Sequence, residues 1–187
     1  YIIVMLNIAI FGAPGAGKGT QSKMLLEKYN LTYVSTGDLL RQEIAAETEI
    51  GKEVKNIIEK GGLASDEIIV QLLERHVRGD KTTNGFLVDG FPRTVVQAYI
   101  LDGFLMRLKT KLLCMISLIV PREELIRRML DRKAIDGRAD DTQEVIETRL
   151  REYEEKTLPV ADYYRQKEIY KPVIGTGKIE DIFQNIT

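Results

Sequence analysis

The segment GAPGAGKGT, Gly12 to Thr20, is the most informative part of this sequence. It follows the apolar segment MLNIAIF and precedes TQSKMLLEKY, in which Met24, Leu25 and Tyr29 recur at helical spacing. A strand, a glycine-rich turn and a helix in this order place backbone N–H groups around a concavity that suits phosphate oxygens, at the positive end of the helix. Lys18 adds a mobile positive charge. The sequence therefore predicts a phosphate-binding loop.

The loop departs from the usual pattern of Gly, four residues, Gly-Lys and then Ser or Thr. Gly12, Gly17 and Lys18 fit it, but Gly19 stands where the hydroxyl belongs and Thr20 comes one place late. A glycine here lets the start of the helix pass close to a ligand. The stretch is either a false match or a specific variant, and the other segments of the chain decide between the two.

Predicted strands and helices alternate along the chain. TYVS, GFLVDG, LLCMISLIV and IYKPVI are predicted strands, each separated from the next by helical segments. This order predicts an α/β fold in three layers, a central parallel sheet flanked by helices. Ligands on such sheets bind at the carboxyl ends of the strands. The glycine loop, Asp89-Gly90 and the turn at Gly175 to Gly177 all fall there.

Two further patterns concern the helices. GDLLRQEIAAE and KEVKNIIEK predict two short helices broken at Gly51. The last segment, KIEDIFQNI, predicts a closing helix with its apolar residues facing the core. Those residues are Ile179, Ile182, Phe183 and Ile186.

Composition excludes several classes of function. The 27 basic and 28 acidic residues nearly balance, which disfavours nucleic acid as a partner. A single Cys, Cys114, and a single His, His76, are too few for a structural zinc site. The apolar run Leu112 to Val120 is far shorter than the ~20 residues that span a bilayer. We expect no membrane partner and a cytoplasmic or otherwise reducing location.

Three more motifs follow the loop in order: STGDLLR, DGFPRTVVQ and GRADD. Together with GAPGAGKGT they resemble the nucleoside monophosphate kinases, and most closely the short-lid adenylate kinases, whose loop ends in GKGT. The resemblance runs from about Met5 to Ile186. It implies a fold of the P-loop NTPase type with two small mobile inserts: an AMP-binding insert at 35–64 and a short lid at 131–141. The core would comprise 1–34, 65–130 and 142–187.

The resemblance also implies a reaction: reversible transfer of the γ-phosphoryl of ATP to AMP, giving two ADP, with Mg²⁺ and without structural zinc, in a monomer. Such transfers need positioning and positive charge rather than a nucleophilic side chain. The implied catalytic residues are Lys18, Arg93, Arg128, Arg132, Arg138 and Arg149. The implied magnesium residues are Asp89, acting through water, and Thr20.

The resemblance assigns binding residues to each nucleotide. For ATP these are Gly12, Gly15, Ala16, Gly17, Lys18, Gly19, Thr20, Arg132 and Gly177. For AMP they are Thr36, Arg41, Gly62, Leu63, Ala64, Gly90, Phe91, Arg93, Gln97, Arg138 and Arg149. The planar fork of arginine suits the phosphates because it binds them bidentately.

Two rival functions remain open at this point. The related UMP/CMP kinases carry Ala in place of Thr36 and Asn in place of Gln97, so these two residues favour AMP over a pyrimidine or broad monophosphate kinase. A nucleotide switch that hydrolyses ATP slowly would need the loop and Asp89, but not arginines spread over two inserts. Taken singly, each arginine could equally be a solvated surface charge.

Overall fold

The computed structural model describes residues 5–77, 83–136 and 142–187. Within those ranges five strands form one sheet. In chain order they are β1 (Ile8–Gly12), β2 (Thr32–Ser35), β3 (Phe86–Asp89), β4 (Cys114–Ile119) and β5 (Tyr170–Ile174).

The helices of the described ranges lie between and after these strands. They are α1 (Lys18–Tyr29), α2 (Thr36–Ala45), α3 (Glu49–Glu59), α4 (Asp66–Val77), α5 (Val95–Arg107), α6 (Arg122–Asp136), α7 (Gln143–Glu152), α8 (Leu158–Gln166) and α9 (Ile179–Ile186). A π-helical turn, Tyr153–Thr157, joins α7 to α8. None of these helices, in the part of the chain that the structure describes, is long and apolar enough to cross a membrane.

The sheet is parallel, with the strand order β2-β3-β1-β4-β5. Central β1 is buried over its whole length. Its side chains alternate between two cores: Ala9 and Phe11 pack on one face of the sheet, Ile8 and Ile10 on the other. Burial on both faces explains why the strand is continuously apolar in sequence. The predicted three-layer α/β fold is confirmed.

Side-chain caps fix several helix starts. The Thr142 hydroxyl accepts a hydrogen bond from Val145 N at the start of α7, and Ser65 accepts one from Ile68 N at the start of α4. Each cap satisfies a backbone N–H group that has no partner within its own helix. Ser65 and Thr142 therefore act as the N-caps of α4 and α7.

The predicted break at Gly51 is wrong. The two helices part at 46–48, and Gly51 lies inside α3, capped by Thr48. A Cβ on Gly51 would lie 2.0 Å from the carbonyl oxygen of Glu43 in α2. Gly51 is thus required by the close approach of α3 to α2, not by a turn.

The closing helix matches its prediction in part. Ile182 is buried, and Phe183 and Ile186 pack against the core, but Ile179 is 48% exposed and borders the cleft described next. The predicted lid begins inside a regular helix, because α6 continues to Asp136. The rest of the lid, 137–141, lies outside the described residues.

Candidate active site

A cleft of about 900 Å³ opens where the strands end. The glycine loop and the start of α1 form its floor, and residues of α2, the segment 61–64, β3, α6 and α7 form its walls. The β5–α9 turn, with Gly177, closes one end. The cleft therefore lies at the carboxyl edge of the sheet, where ligands of α/β folds bind.

The glycine loop has the backbone that its sequence predicts. Gly15 and Gly17 have φ values of +85° and +97°, in the left-handed region that disfavours other residues. Gly17 caps α1, which begins at Lys18. Lys18 Nζ donates hydrogen bonds to the carbonyl oxygens of Gly12, at 3.0 Å, and Ala13, at 3.3 Å. The lysine thus lies folded over its own loop.

Gly19 and Thr20 are exposed on the cleft side of α1. Among the described residues, no heavy atom lies within 4 Å of a Cβ placed on Gly19. The protein itself therefore does not crowd this position. The space beside Gly19 is available to a ligand, as the predicted close approach of helix and ligand requires.

Lys18 has a strongly altered pKa. Burial lowers it from the ordinary 10.5 to about 8. Asp89 opposes this shift, whereas Arg93, Arg132 and Arg149 add to it by repulsion. The charges of three arginines and one carboxylate, from separate segments of the chain, thus act together on Lys18.

Asp89 ends β3 and is buried. Its Oδ2 accepts a hydrogen bond of 2.7 Å from the Tyr33 hydroxyl of the neighbouring strand β2. Burial and the adjacent Asp89 together raise the pKa of Tyr33, so this phenol stays a donor at neutral pH. Asp89 is thereby held in a fixed orientation toward the glycine loop.

The turn after β3 joins Thr36 and Arg93. Gly90 has φ +77°, and its carbonyl oxygen accepts hydrogen bonds of 2.8 Å from both Thr36 Oγ1 and Arg93 Nε. A Cβ on Gly90 would lie 2.9 Å from Thr36 Oγ1. Burial lowers the pKa of Arg93, and the neighbouring Asp89 opposes that shift. The partly buried Arg93 is held beside the turn and borders the cleft.

Gln97 lies in the first turn of α5 and is only 3% exposed. Its Oε1 accepts a hydrogen bond from Arg93 N, and its Nε2 donates one to Asp66 Oδ1, both at 2.8 Å. Gln97 borders the cleft on the same side as Gly62, Leu63 and Ala64. The predicted AMP-binding residues of three separate segments are therefore brought together.

Comparison with known proteins decides the family. A family model described as adenylate kinase matches residues 10–169. The chain belongs to the adenylate kinase family. One relative, an adenylate kinase of Parabacteroides distasonis, is 47% identical over 182 residues, which are 97% of this chain and 96% of the relative. An adenylate kinase of Flavobacterium psychrophilum is 44% identical over 184 residues, 98% of this chain and 97% of the relative.

The arginines that the family resemblance selects occupy different settings. Arg132 and Arg149 border the cleft from α6 and α7. Arg41 also borders it and is paired with Asp38 one helical turn earlier. Arg138 lies outside the described residues, so its predicted role has no structural counterpart here.

Two predicted residues make mainly internal contacts. Arg128 donates to the carbonyl oxygens of Gly175, at 3.0 Å, and Ala16, at 3.4 Å, and to Glu124, at 2.8 Å. Phe91 is 2% exposed and packs in the hydrophobic core rather than along the cleft. The side chain of Phe91 therefore does not line this cleft.

The donors that could hold Mg²⁺ are a carboxylate and a hydroxyl. The described residues contain no group of three or more His, Cys, Asp or Glu side chains that could hold a metal ion. Mg²⁺ needs no such cluster, because it keeps several waters and takes only one or two protein ligands beside nucleotide phosphates. Two side chains therefore fit this ion. One is Asp89, which has one oxygen bound to Tyr33 and the other left for the ion or its waters, and the second is the exposed Thr20 at the start of α1.

Sequence reasoning missed two residues, Tyr33 and Asp66. Tyr33 and Ser35 are two positions apart on β2 and therefore share one face of the strand, and the register that pairs Ser35 with Asp89 lets the Tyr33 phenol reach the carboxylate. Asp66 lies in the first turn of α4, where the helix dipole alone already favours an acidic residue. The period-two pattern of β2 puts Tyr33 and Ser35 on one face, but the strand register that brings Tyr33 to Asp89 has no signal in the sequence. Nothing in the sequence signals the contact between Asp66 and Gln97.

Proposed function

We propose that this chain catalyses the reversible, Mg²⁺-dependent transfer of the γ-phosphoryl group from ATP to AMP, giving two ADP. The observation that carries the proposal is the cation cluster between two halves of one cleft. Lys18 and Arg93 are partly buried there, and the charges of Arg132 and Arg149 help to lower the pKa of Lys18. Phosphoryl transfer needs positive charge gathered at this point, between donor and acceptor.

In the proposed complex the ATP phosphates bind the glycine loop and the start of α1. The loop supplies backbone N–H groups, the helix its positive end, and Lys18 a charge for the outer phosphates. Lys18 must then exchange its contacts with Gly12 and Ala13 for phosphate oxygens. The Gly177 turn and Arg132 border the part of the cleft left for the rest of ATP.

The AMP phosphate binds on the opposite side, where Arg41 and Arg93 border the cleft. Arg93 keeps its Nε on Gly90 and can present its terminal nitrogens to the phosphate. The adenine lies against 62–64 and Gln97, whose amide can donate and accept. Arg132, Arg138 and Arg149 surround the phosphoryl group as charge spreads over its oxygens.

Bound Mg²⁺ would neutralise part of the phosphate charge. Asp89 would hold its waters, with Thr20 as a further oxygen donor near the loop. Tyr33 keeps the Asp89 carboxylate oriented by its hydrogen bond. We propose no structural zinc, since none is needed to hold the short lid.

We propose that 35–64 and 131–141 close over the nucleotides as mobile inserts. Closure would exclude water, which otherwise hydrolyses ATP, and would complete the arginine cluster. The nearly neutral charge of −1 supports a protein that works without nucleic acid. We expect a cytoplasmic monomer with ATP, AMP and ADP as its partners.

The test is ADP formation from ATP and Mg²⁺ with AMP, CMP, UMP or GMP offered in turn, and without acceptor as control. Turnover that strongly favours AMP supports the proposal. Equal turnover with pyrimidine monophosphates would keep a kinase but remove the base selectivity assigned to Thr36 and Gln97. Slow hydrolysis that ignores the acceptor would replace the kinase by a nucleotide switch.

A further inference from the structure

The amide of Gln97 is held between two partners of opposite character. Asp66 Oδ1 can only accept a hydrogen bond from it, and Arg93 N–H can only donate one to it. Rotating the amide by half a turn would set an oxygen against the carboxylate and an NH₂ group against the N–H. Both contacts would become repulsive. The two partners therefore fix which end of the amide carries the donor.

This orientation matters because purines come with two complementary edges. A 6-aminopurine such as adenine donates from its amino group and accepts at ring nitrogen N1. A 6-oxopurine such as hypoxanthine accepts at its oxygen and donates from N1–H. A glutamine that rotates freely can match either edge. A glutamine held in one orientation leaves groups unpaired against the other edge, and buried unpaired polar groups are costly.

We propose that Asp66 sets the preference of the AMP site for 6-aminopurine over 6-oxopurine monophosphates by locking the orientation of the Gln97 amide. Asp66 is a positioning residue, because it acts through Gln97. The inference rests on the proposed function, which places the base at Gln97. Of the two locking partners, Asp66 is the one open to substitution, since the other is a backbone group of Arg93.

The test compares AMP with inosine monophosphate, which differs from AMP at the 6-position and N1. Asp66→Asn keeps the size of the side chain but allows it to donate or accept, so this contact no longer opposes rotation of Gln97, and only the Arg93 N–H still does. Asp66→Ser also replaces the carboxylate by a group that can donate or accept, a shorter hydroxyl. The matched control is Glu67→Gln, which removes a negative charge from the same first turn of α4 at an exposed side chain.

Two readouts are taken for each variant: titration calorimetry of AMP and inosine monophosphate without ATP, and kcat and KM for each acceptor with ATP and Mg²⁺. For Asp66→Asn we expect the preference for AMP over inosine monophosphate, measured as the ratio of Kd values and as the ratio of kcat/KM values, to fall at least about tenfold. The change should lie in KM, with kcat for AMP within about threefold of wild type. Glu67→Gln should keep the wild-type preference.

An unchanged preference in a folded Asp66→Asn or Asp66→Ser variant would overturn the inference. An equal loss of the AMP preference in Glu67→Gln would also overturn it, because the effect would then come from the negative charge at the start of α4 and not from the contact with Gln97. If wild type binds AMP selectively but transfers no phosphoryl group, the kinase proposal fails, and the calorimetry still decides the role of Asp66.

Discussion

Binding of ATP should take up protons from solution above about pH 8. In the free protein, burial lowers the pKa of Lys18 to about 8, and the neighbouring arginines hold it down. A polyphosphate on the glycine loop brings negative charge to this side chain. An opposite charge at contact distance favours the protonated form and raises the pKa. Lys18 is therefore protonated in the complex over a pH range in which much of the free protein has lost that proton.

The size of the effect follows from the pKa. At about pH 8 half of the free molecules carry a neutral Lys18, so binding should take up ~0.5 proton per ATP. At about pH 9 the uptake should approach ~0.9 proton, and well below the free-state pKa it should vanish. Because the protonated form of Lys18 binds ATP better, the affinity for ATP should be greatest below pH 8. It should fall as the pH rises above 8, by at most about tenfold per pH unit.

Calorimetry measures this uptake directly. ATP and Mg²⁺ are titrated into the protein in two buffers of equal pH and different ionisation enthalpy, and the difference in heat gives the protons exchanged. Lys18→Arg is the matched control, because a guanidinium keeps its charge throughout this range and has no proton to gain. Zero uptake by wild type near pH 9, or equal uptake by Lys18→Arg, would refute the reasoning.

The remaining predictions concern packing and charge. Gly51→Ala should lower the melting temperature, because the added Cβ would lie 2.0 Å from the backbone of α2. The resulting overpacking costs ~1–3 kcal/mol, which is more than the ~1 kcal/mol that Ala gains over Gly in helix propensity. Gly103→Ala, at a position of α5 that is open to solvent, should raise the melting temperature by ~2–4 °C. A shift of the melting temperature in the same direction for both glycine variants would contradict this reasoning. Arg93→Ala should cut turnover at least about a hundredfold in a folded protein, whereas Arg165→Ala, at an exposed ion pair, should not; near-normal turnover in Arg93→Ala would remove its catalytic assignment.

The sequence was enough for the features that depend on short stretches of chain. Apolar runs bounded by turns predicted β1, β3 and β4, because strands buried on both faces leave no room for polar residues. The glycine loop was readable because left-handed φ values select glycine at Gly15 and Gly17. The order of strand ends then predicted which residues share an edge of the sheet.

Features that depend on contacts between distant segments could not be predicted. Gly51 has the sequence appearance of a helix break, and only the approach of α2 shows why glycine is needed inside α3. The hydrogen bonds of Asp89 to Tyr33 and of Gln97 to Asp66 join residues 56 and 31 positions apart. Their partners are set by strand register and helix packing, which a local pattern does not contain.

The contacts of Arg128 favour a role different from that of its predicted partners in the cleft. Its guanidinium binds the carbonyl oxygen of Ala16 in the glycine loop and that of Gly175 in the β5–α9 turn, and its charge is met by Glu124. A cation already engaged by two carbonyls and a carboxylate has fewer donors left for a charge that develops briefly on a phosphoryl group. It can instead hold the loop and the turn at a fixed separation, which preserves the width of the ATP side of the cleft. Arg93 keeps one contact with Gly90 and remains beside Lys18, so transition-state charge is better assigned to Arg93 than to Arg128.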